Sequence, residues 1–185
     1  MADCFQTVVD TGATLGEADH LARHVVAWLA EKGVVRPNPS EEGGYDRGPD
    51  AADIALPAVV CREHETIPPV HFHLQVLIGR MTHSEDLSRF HEPAARCPAC
   101  GRPFDHADGE WQSATQDWIG GDDDAALRCA ACGKESPVVR WVYDNHFGYG
   151  NLAFRFWNWP PLKPSFLDDV RRELGHPIVL VEGTL

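Results

Sequence analysis

Of the six cysteines in the chain, four repeat one pattern. Cys97-Pro98-Ala99-Cys100-Gly101 comes first, and Cys129-Ala130-Ala131-Cys132-Gly133 follows with 28 residues between Cys100 and Cys129. Each pair presents two thiols from one tight turn. Two such turns brought together supply four sulfurs at tetrahedral corners, as a closed structural Zn²⁺ site requires. The glycine after each second cysteine allows φ > 0, which turns backbone N–H groups toward the sulfurs. Those contacts help hold thiolates in their charged form beside a metal.

On these ten residues the chain resembles the zinc-ribbon family. The resemblance covers residues 96 to 134. It implies a pair of knuckles, each leading into a short β-hairpin arm, around one zinc held by Cys97, Cys100, Cys129 and Cys132. Zinc ribbons occur in enzymes, nucleic-acid binders and protein adaptors, so the resemblance implies no activity. A redox Cys-x-x-Cys pair, a disulfide or another metal such as iron are the alternatives. Two matched copies with trailing glycines favour zinc over these. Cys4 and Cys61 have no spaced partners and read as small buried or half-buried side chains.

Other residues could do chemistry, each with a plainer reading beside it. His71 and His73 alternate on a strand, and His-x-His can hold a catalytic metal when carboxylates join it. Glu63, His64 and Glu65 are near in sequence; the plainer reading is the solvated face of a half-buried strand. His20 and His24 lie four apart on a helix without the intervening Glu of a zincin, and read as half-exposed polar residues. Asp122, Asp123 and Asp124 lack the ligand spacing of a calcium loop and read as an exposed turn. Cys61 and His64 fall on opposite faces of a strand, which argues against a thiol nucleophile. Asp144, Asn145 and His146 are ordinary turn formers. The chain contains no P-loop, dinucleotide fingerprint or Gly-x-Ser-x-Gly elbow.

The elements that must position these residues follow from periodicity. Residues 5 to 10 are short and β-branched, and read as a strand. A helix opens near Thr14 or Gly16, carries Leu21, Val25, Trp28 and Leu29 as one stripe, and closes at Gly33. Residues 36 to 53, rich in Pro, Gly and acid, read as a long loop. Residues 58 to 62 and 70 to 79 read as strands; in the second, Phe72, Leu74, Val76 and Ile78 share one face. Ser84 reads as the N-cap of a short helical turn. Between the knuckles, Trp111, Trp118 and Ile119 are expected to form a small core over the metal. Residues 138 to 143 and 152 to 159 read as strands that pair antiparallel. A helix from Ser165 to Gly175 and a strand at 178 to 181 complete the chain.

This order gives an α+β fold: an antiparallel or mixed sheet with two helices on one face, split β-α-β and ferredoxin-like in outline. Residues 1 to 93 and 135 to 185 would form the body, with a zinc ribbon inserted at 94 to 134. In the strand from 152 to 159, Arg155, Trp157 and Trp159 are expected on the face away from the helices. Arg and Trp are enriched at interface hot spots, so that face is the expected interaction surface.

Composition bounds the function. The net charge is −12, from 16 basic and 28 acidic residues. Phosphate neutralisation depends on Lys and Arg, so nucleic acid is disfavoured, as is an anionic membrane. The first residues lack a basic region and an apolar core, and no run approaches a membrane span, so a cytoplasmic protein is expected. With 185 residues the chain can bury a core of its own beside any metal. The expectation is a non-enzymatic zinc-binding protein-interaction module, its partner another protein or a second copy. The alternatives are a metal-dependent hydrolase using His71 and His73, and a nucleic-acid-binding zinc-ribbon protein.

Overall fold

The computed structural model describes residues 3–38, 44–56, 72–85, 93–105, 109–144 and 146–185. Strand β1 (Cys4–Asp10) is buried from Phe5 onward, because β10 (Ile178–Thr184) pairs on one side of it and β9 (Phe147–Trp157) on the other. Strand β4 (His73–Ser84) pairs with the far side of β9. Beyond it lie β3 (Gly44–Arg47) and β2 (Val35–Pro37). The sheet order is β10-β1-β9-β4-β3-β2, and every pairing is antiparallel. The fold is therefore α+β.

Helix α1 (Leu15–Glu31) starts at Thr14. The Glu17 carboxylate reaches back and accepts hydrogen bonds from the Thr14 N–H at 3.1 Å and the Thr14 hydroxyl at 2.7 Å. Gly33, at φ 67°, turns its N–H back to the Ala30 carbonyl and ends the helix. The buried stripe is Ala18, Ala22, Val25 and Leu29, with Leu21 and Trp28 half-buried beside it. Helix α3 (Pro164–Leu174) contributes Phe166, Val170 and Leu174. Both helices pack on one sheet face, over Val8, Leu74, Leu152, Phe154 and Phe156.

Between β4 and β9 lies a second core with its own helix, α2 (Glu110–Ile119). Two short pairs frame it: β5 (Ala95–Arg96) with β8 (Val142–Tyr143), and β6 (Ala126–Arg128) with β7 (Glu135–Pro137). Trp111, Trp118, Leu127, Val138 and Trp141 are buried there, together with Phe147 and Tyr149 from β9. Trp111 meets Phe147 edge-on at 5.6 Å, and Trp118 meets Tyr149 at 5.2 Å. Ile119, expected in this core, is exposed instead, because the helix turns it away from the side that Trp111 and Trp118 share.

The long strands bend. Residues 73 to 78 of β4 pair with 157 to 152 of β9, the register breaks around Gly79 and Arg80, and residues 81 to 84 pair with 150 to 147. Gly79 takes φ 128°, a value that only glycine adopts without strain. Past this bulge the two strands fold back as an arm over the sheet face opposite the helices. A Cβ on Gly150 would lie 2.6 Å from Val9 Cγ1 and 2.9 Å from the Asp10 carbonyl. The end of the arm lies over the other end of the sheet, where the Glu85 carbonyl accepts a hydrogen bond from the Thr184 N–H. Val9, Ala153 and Val181 are fully buried as a result.

Several expectations are corrected here. Residues 36 to 53 are not one long loop: β2 and β3 form a hairpin on the sheet edge, and residues 51 to 54 make a 3₁₀ turn. Pro37 is accommodated because β2 is an edge strand. Residues 138 to 143 are a 3₁₀ turn followed by β8, which pairs with β5 and not with β9. Ser84 ends β4, and the rest of the helical turn expected after it lies outside the described residues. Ile78 is exposed, while Leu74 is buried and Phe72 and Val76 pack on the helix side. The strand expected at 58 to 62 lies outside the described residues.

The arm's seat on Val9 can be tested by adding single methyl groups. Gly150→Ala should lower stability by about 1–3 kcal/mol, the usual cost of overpacking. Gly148→Ala, whose Cβ would meet Val9 at an ordinary 3.6 Å, should stay within about 0.5 kcal/mol. Urea unfolding of both variants decides it, and equal effects would mean that the arm does not rest there.

Candidate metal centre

The two Cys-x-x-Cys-Gly segments fold into the same loop. In the first, the Gly101 N–H donates to the Cys97 carbonyl at 2.9 Å, and the Cys97 N–H donates to the Arg102 carbonyl at 2.9 Å. In the second, Gly133 donates to Cys129 at 2.8 Å and Cys129 to Lys134 at 2.9 Å. Gly101 and Gly133 both sit at φ 71°. The Ala99 N–H points at Cys97 Sγ, 3.4 Å away. The repeated sequence is thus a repeated backbone trace, with N–H groups aimed inward.

The loops face each other. Cys97 Sγ is 3.9 Å from Cys132 Sγ, Cys100 Sγ is 3.7 Å from Cys129 Sγ, and all four sulfurs lie within 4.8 Å of one another. A tetrahedron built on ~2.3 Å zinc–sulfur bonds has edges of about 3.8 Å. A disulfide needs ~2.05 Å, so these four cysteines are not paired covalently. Cys97 and Cys129 are buried, and Cys100 and Cys132 are exposed.

Backbone N–H groups of Cys132 and Ala131 draw the Cys129 thiol down to about 7. The Arg102 N–H acts the same way on Cys100, but desolvation and the three neighbouring thiols outweigh it and push Cys100 up to about 11. Four thiols crowded this closely cannot all ionise without a cation among them. A thiophilic divalent cation fits both the spacing and this charge problem.

Among the described residues, the other candidates are dispersed. His73 stacks on Trp157 at 5.9 Å, while His71, Glu63, His64, Glu65 and Cys61 lie outside the described residues. His24 pairs with Glu173 of α3 at 2.9 Å, and His20 is exposed. Asp122 caps its own turn through the Asp124 N–H, and Asp123 pairs with Arg80 at 2.7 Å. Asp144 accepts the His146 N–H; Asn145 lies outside the described residues.

The expected face of Arg155, Trp157 and Trp159 is corrected. Asn158 sits at φ 60°, which breaks the strand alternation after Trp157. Trp159 therefore turns to the helix side, is 4% exposed and meets Phe156 edge-on at 5.2 Å. Arg155 and Trp157 keep the expected face, but the arm lies across it. The Arg155 guanidinium lies over the rings of Phe5 and Trp157, donates from Nε to Thr7 Oγ1 at 3.0 Å, and places an Nη atom 3.5 Å from His83 Nδ1. The Trp157 indole N–H donates to Gln75 Oε1 at 3.1 Å.

His83 is the residue that sequence reasoning missed. It descends from the arm onto Arg155 and is 1% exposed. Nothing in its sequence neighbourhood marks it, because its burial depends on the bend at Gly79. Burial first, and then the Arg155 charge, push its pKa down to about 3.

No family model matches this chain, and no curated protein or solved structure matches it. Among the described residues, no helix is long and apolar enough to cross a membrane.

The buried His83 gives a measurable acid limb. An unfolded histidine takes a proton below about 6.5, whereas folded His83 refuses one until about 3. The unfolded state therefore binds more protons between these values. The contribution is fully present above pH 6.5 and is lost as pH falls toward 3. Wild type should lose roughly 2 kcal/mol more than His83→Gln between pH 6.5 and 5, read by urea unfolding at each pH. Parallel pH curves for the two proteins would show that His83 is solvated.

Proposed function

We propose that this chain is a small zinc-binding protein whose Cys97, Cys100, Cys129 and Cys132 hold one structural Zn²⁺ in a zinc ribbon, and that it acts without catalysis, as a docking module. The observation that carries the metal assignment is the closed set of four thiols at tetrahedral spacing. A catalytic zinc keeps a position open for water or substrate, whereas four thiolates leave none. A tetrahedral set of four thiolates suits zinc or iron, and elemental analysis distinguishes the two.

The strand order supports reading the body as a split β-α-β unit. Across the sheet the order is β10-β1-β9-β4, the fourth, first, third and second of these strands along the chain, with α1 after the first strand and α3 after the third. That is the ferredoxin-like pattern, with β2 and β3 added at one edge. The expected boundary gives residues 1 to 93 and 135 to 185 to the body and 94 to 134 to the insert, while β7, Val138, Trp141 and β8 pack with the insert's core. The docking surface is the half-buried rim made by Trp157 with His73 stacked on it. The partner is another protein or a second copy of the chain.

Elemental analysis of protein purified without added metal should find about one zinc per chain, and a Cys97→Ser, Cys129→Ser variant should hold almost none. Retention of zinc by that variant would overturn the ligand assignment. Chelation should remove roughly a quarter of the helical circular dichroism, because α2 has 10 residues against 17 in α1 and 11 in α3. Loss of all cooperative unfolding would instead make the body dependent on the metal.

Docking is tested separately. Trp157→Ala should stay folded and lose concentration-dependent association in sedimentation. A folded Trp157→Ala protein that sediments like wild type removes this rim from consideration.

A further inference from the structure

We propose that β10 joins two copies of this chain, pairing antiparallel with its counterpart across a two-fold axis at Leu180, so that the sheet of one copy continues into the other. The contact lies apart from the metal centre. It is also separate from the Trp157 rim, since β1 lies between β10 and β9, and it does not rest on the docking reading.

β10 is one edge of the sheet, and the direction of its backbone groups can be read from its ends. The Pro177 carbonyl accepts from the Thr11 N–H at 3.1 Å, and the Leu185 N–H donates to the Asp3 carbonyl at 2.8 Å. Val179, Val181 and Gly183, at alternate positions between them, therefore face β1, and the N–H and carbonyl groups of Ile178, Leu180 and Glu182 face outward. Thr184 also faces outward, but its N–H is taken by the Glu85 carbonyl at 3.3 Å. Among the described residues, the outward groups of Ile178, Leu180 and Glu182 have no partner.

Sheet edges are ordinarily blunted by brevity, proline, lysine or a bulge. The opposite edge obeys this: β2 has three residues and ends in Pro37. β10 has seven residues, no proline or lysine, and an unbroken register with β1. Its apolar side chains stay half-buried, Ile178 and Leu180 on the helix side and Val179 on the other, whereas β1 beside it is buried from Phe5 onward.

The pattern along β10 matches itself. With the axis at Leu180, Leu180 lies opposite Leu180 of the second copy, Ile178 opposite Glu182, and Val179 opposite Val181. Every outward N–H and carbonyl of Ile178, Leu180 and Glu182 is then used, because directly opposed residues of this kind exchange both bonds. Apolar side chains meet apolar side chains at the centre, which is the pairing that stabilises a sheet. On the face opposite the helices, Val179 and Val181 extend the cluster of Val9, Ala153 and Val181 from one copy to the next. The chain carries a net charge of −12, yet Glu182 is the one charged residue of β10, and this register places it away from its own copy. An axis at Glu182 would oppose the two carboxylates and call on the occupied Thr184 N–H. A shift toward the start of the strand runs into the bend at His176. One patch used by both copies is the ordinary two-fold interface.

The test uses the full, zinc-loaded chain. Sedimentation should find a dimer with a dissociation constant on the order of micromolar. The amide hydrogens of Ile178, Leu180 and Glu182 should exchange at least about tenfold more slowly at ~100 µM than at ~1 µM protein. Leu180→Cys should form a disulfide-linked dimer under mild oxidation, whereas Glu182→Cys, whose sulfurs would stand roughly 13 Å apart along the strands, should not. Glu182→Pro removes an outward N–H, keeps the bonds to β1, and should weaken the dimer at least about tenfold with its circular dichroism unchanged. A monomer at ~100 µM, amides of β10 that exchange equally at both concentrations, or linkage of Glu182→Cys as readily as Leu180→Cys would each overturn the proposal. The exchange measurement is made on wild type, so it decides the matter even where a variant fails to fold. Slowed β10 amides in Trp157→Ala support this contact whether or not the rim is used. Association lost in Trp157→Ala, with wild-type β10 amides exchanging freely, keeps the rim and overturns this contact.

Discussion

A backbone can lie directly on a buried side chain only where it carries no side chain of its own. At Gly150 the arm rests on Val9 and the Asp10 carbonyl, closer than any Cβ would permit. This contact determines much else in the molecule. It lets β9 leave the sheet and return over it, which takes β4 along through four residue pairings and brings His83 down onto Arg155. It also carries Phe147 and Tyr149, the residues flanking Gly148, into the second core. The Phe-Gly-Tyr-Gly run therefore has one function on each side: rings toward the α2 core, and bare backbone toward Val9.

The second core is tied to the sheet by more than apolar contact. Arg80, at the bulge, donates to the Trp118 carbonyl at 3.0 Å near the C-terminal end of α2, where the helix leaves its last carbonyls open and a cation is favoured. The same guanidinium pairs with Asp123 and lies over the Trp118 ring. Within the core, the Tyr143 hydroxyl donates to the Val138 carbonyl at 2.8 Å, and Tyr149 and Thr115 share a hydrogen bond at 2.6 Å. Burial pushes the Tyr149 phenol up to about 12, so it stays protonated. Tyr143, Tyr149 and Thr115 are thus hydrogen-bonded at this junction, while the buried Arg80 Nε has no partner among the described residues.

What could be read in advance follows from how local each signal is. The knuckles are a local pattern, and their four sulfurs meet as the spacing required. α1 and α3 carry a 3.6-residue period, β1 and β10 carry short β-branched or apolar runs, and each occurs where the sequence placed it, with β10 running on to Thr184. β2 and β3 are three and four residues long, too short for any period to show, and are held by an edge that only the assembled sheet provides. Helix α2 has two large apolar residues, Trp111 and Trp118, seven apart, with alanine and threonine between them on the same side. That pattern is as compatible with a loop as with a helix until the core that it covers exists. Trp159 failed for a different reason: a single αL residue, Asn158, reversed the alternation, and its Oδ1 is fixed by the Cys4 N–H from a strand 154 residues away.

These pieces connect the two ends of the molecule. The proposed zinc would hold together loops that carry no long strand or helix of their own, and the core beside them grips β9 through Trp111 on Phe147 and Trp118 on Tyr149. Those two rings straddle Gly148, and Gly150 follows directly. Whatever fixes the second core therefore fixes the height of the arm above Val9, and with it how His83 covers Arg155. In this arrangement a structural ion is more than a staple for a small insert. Through one bent pair of strands it would also hold the arm down on Thr7 and Arg155.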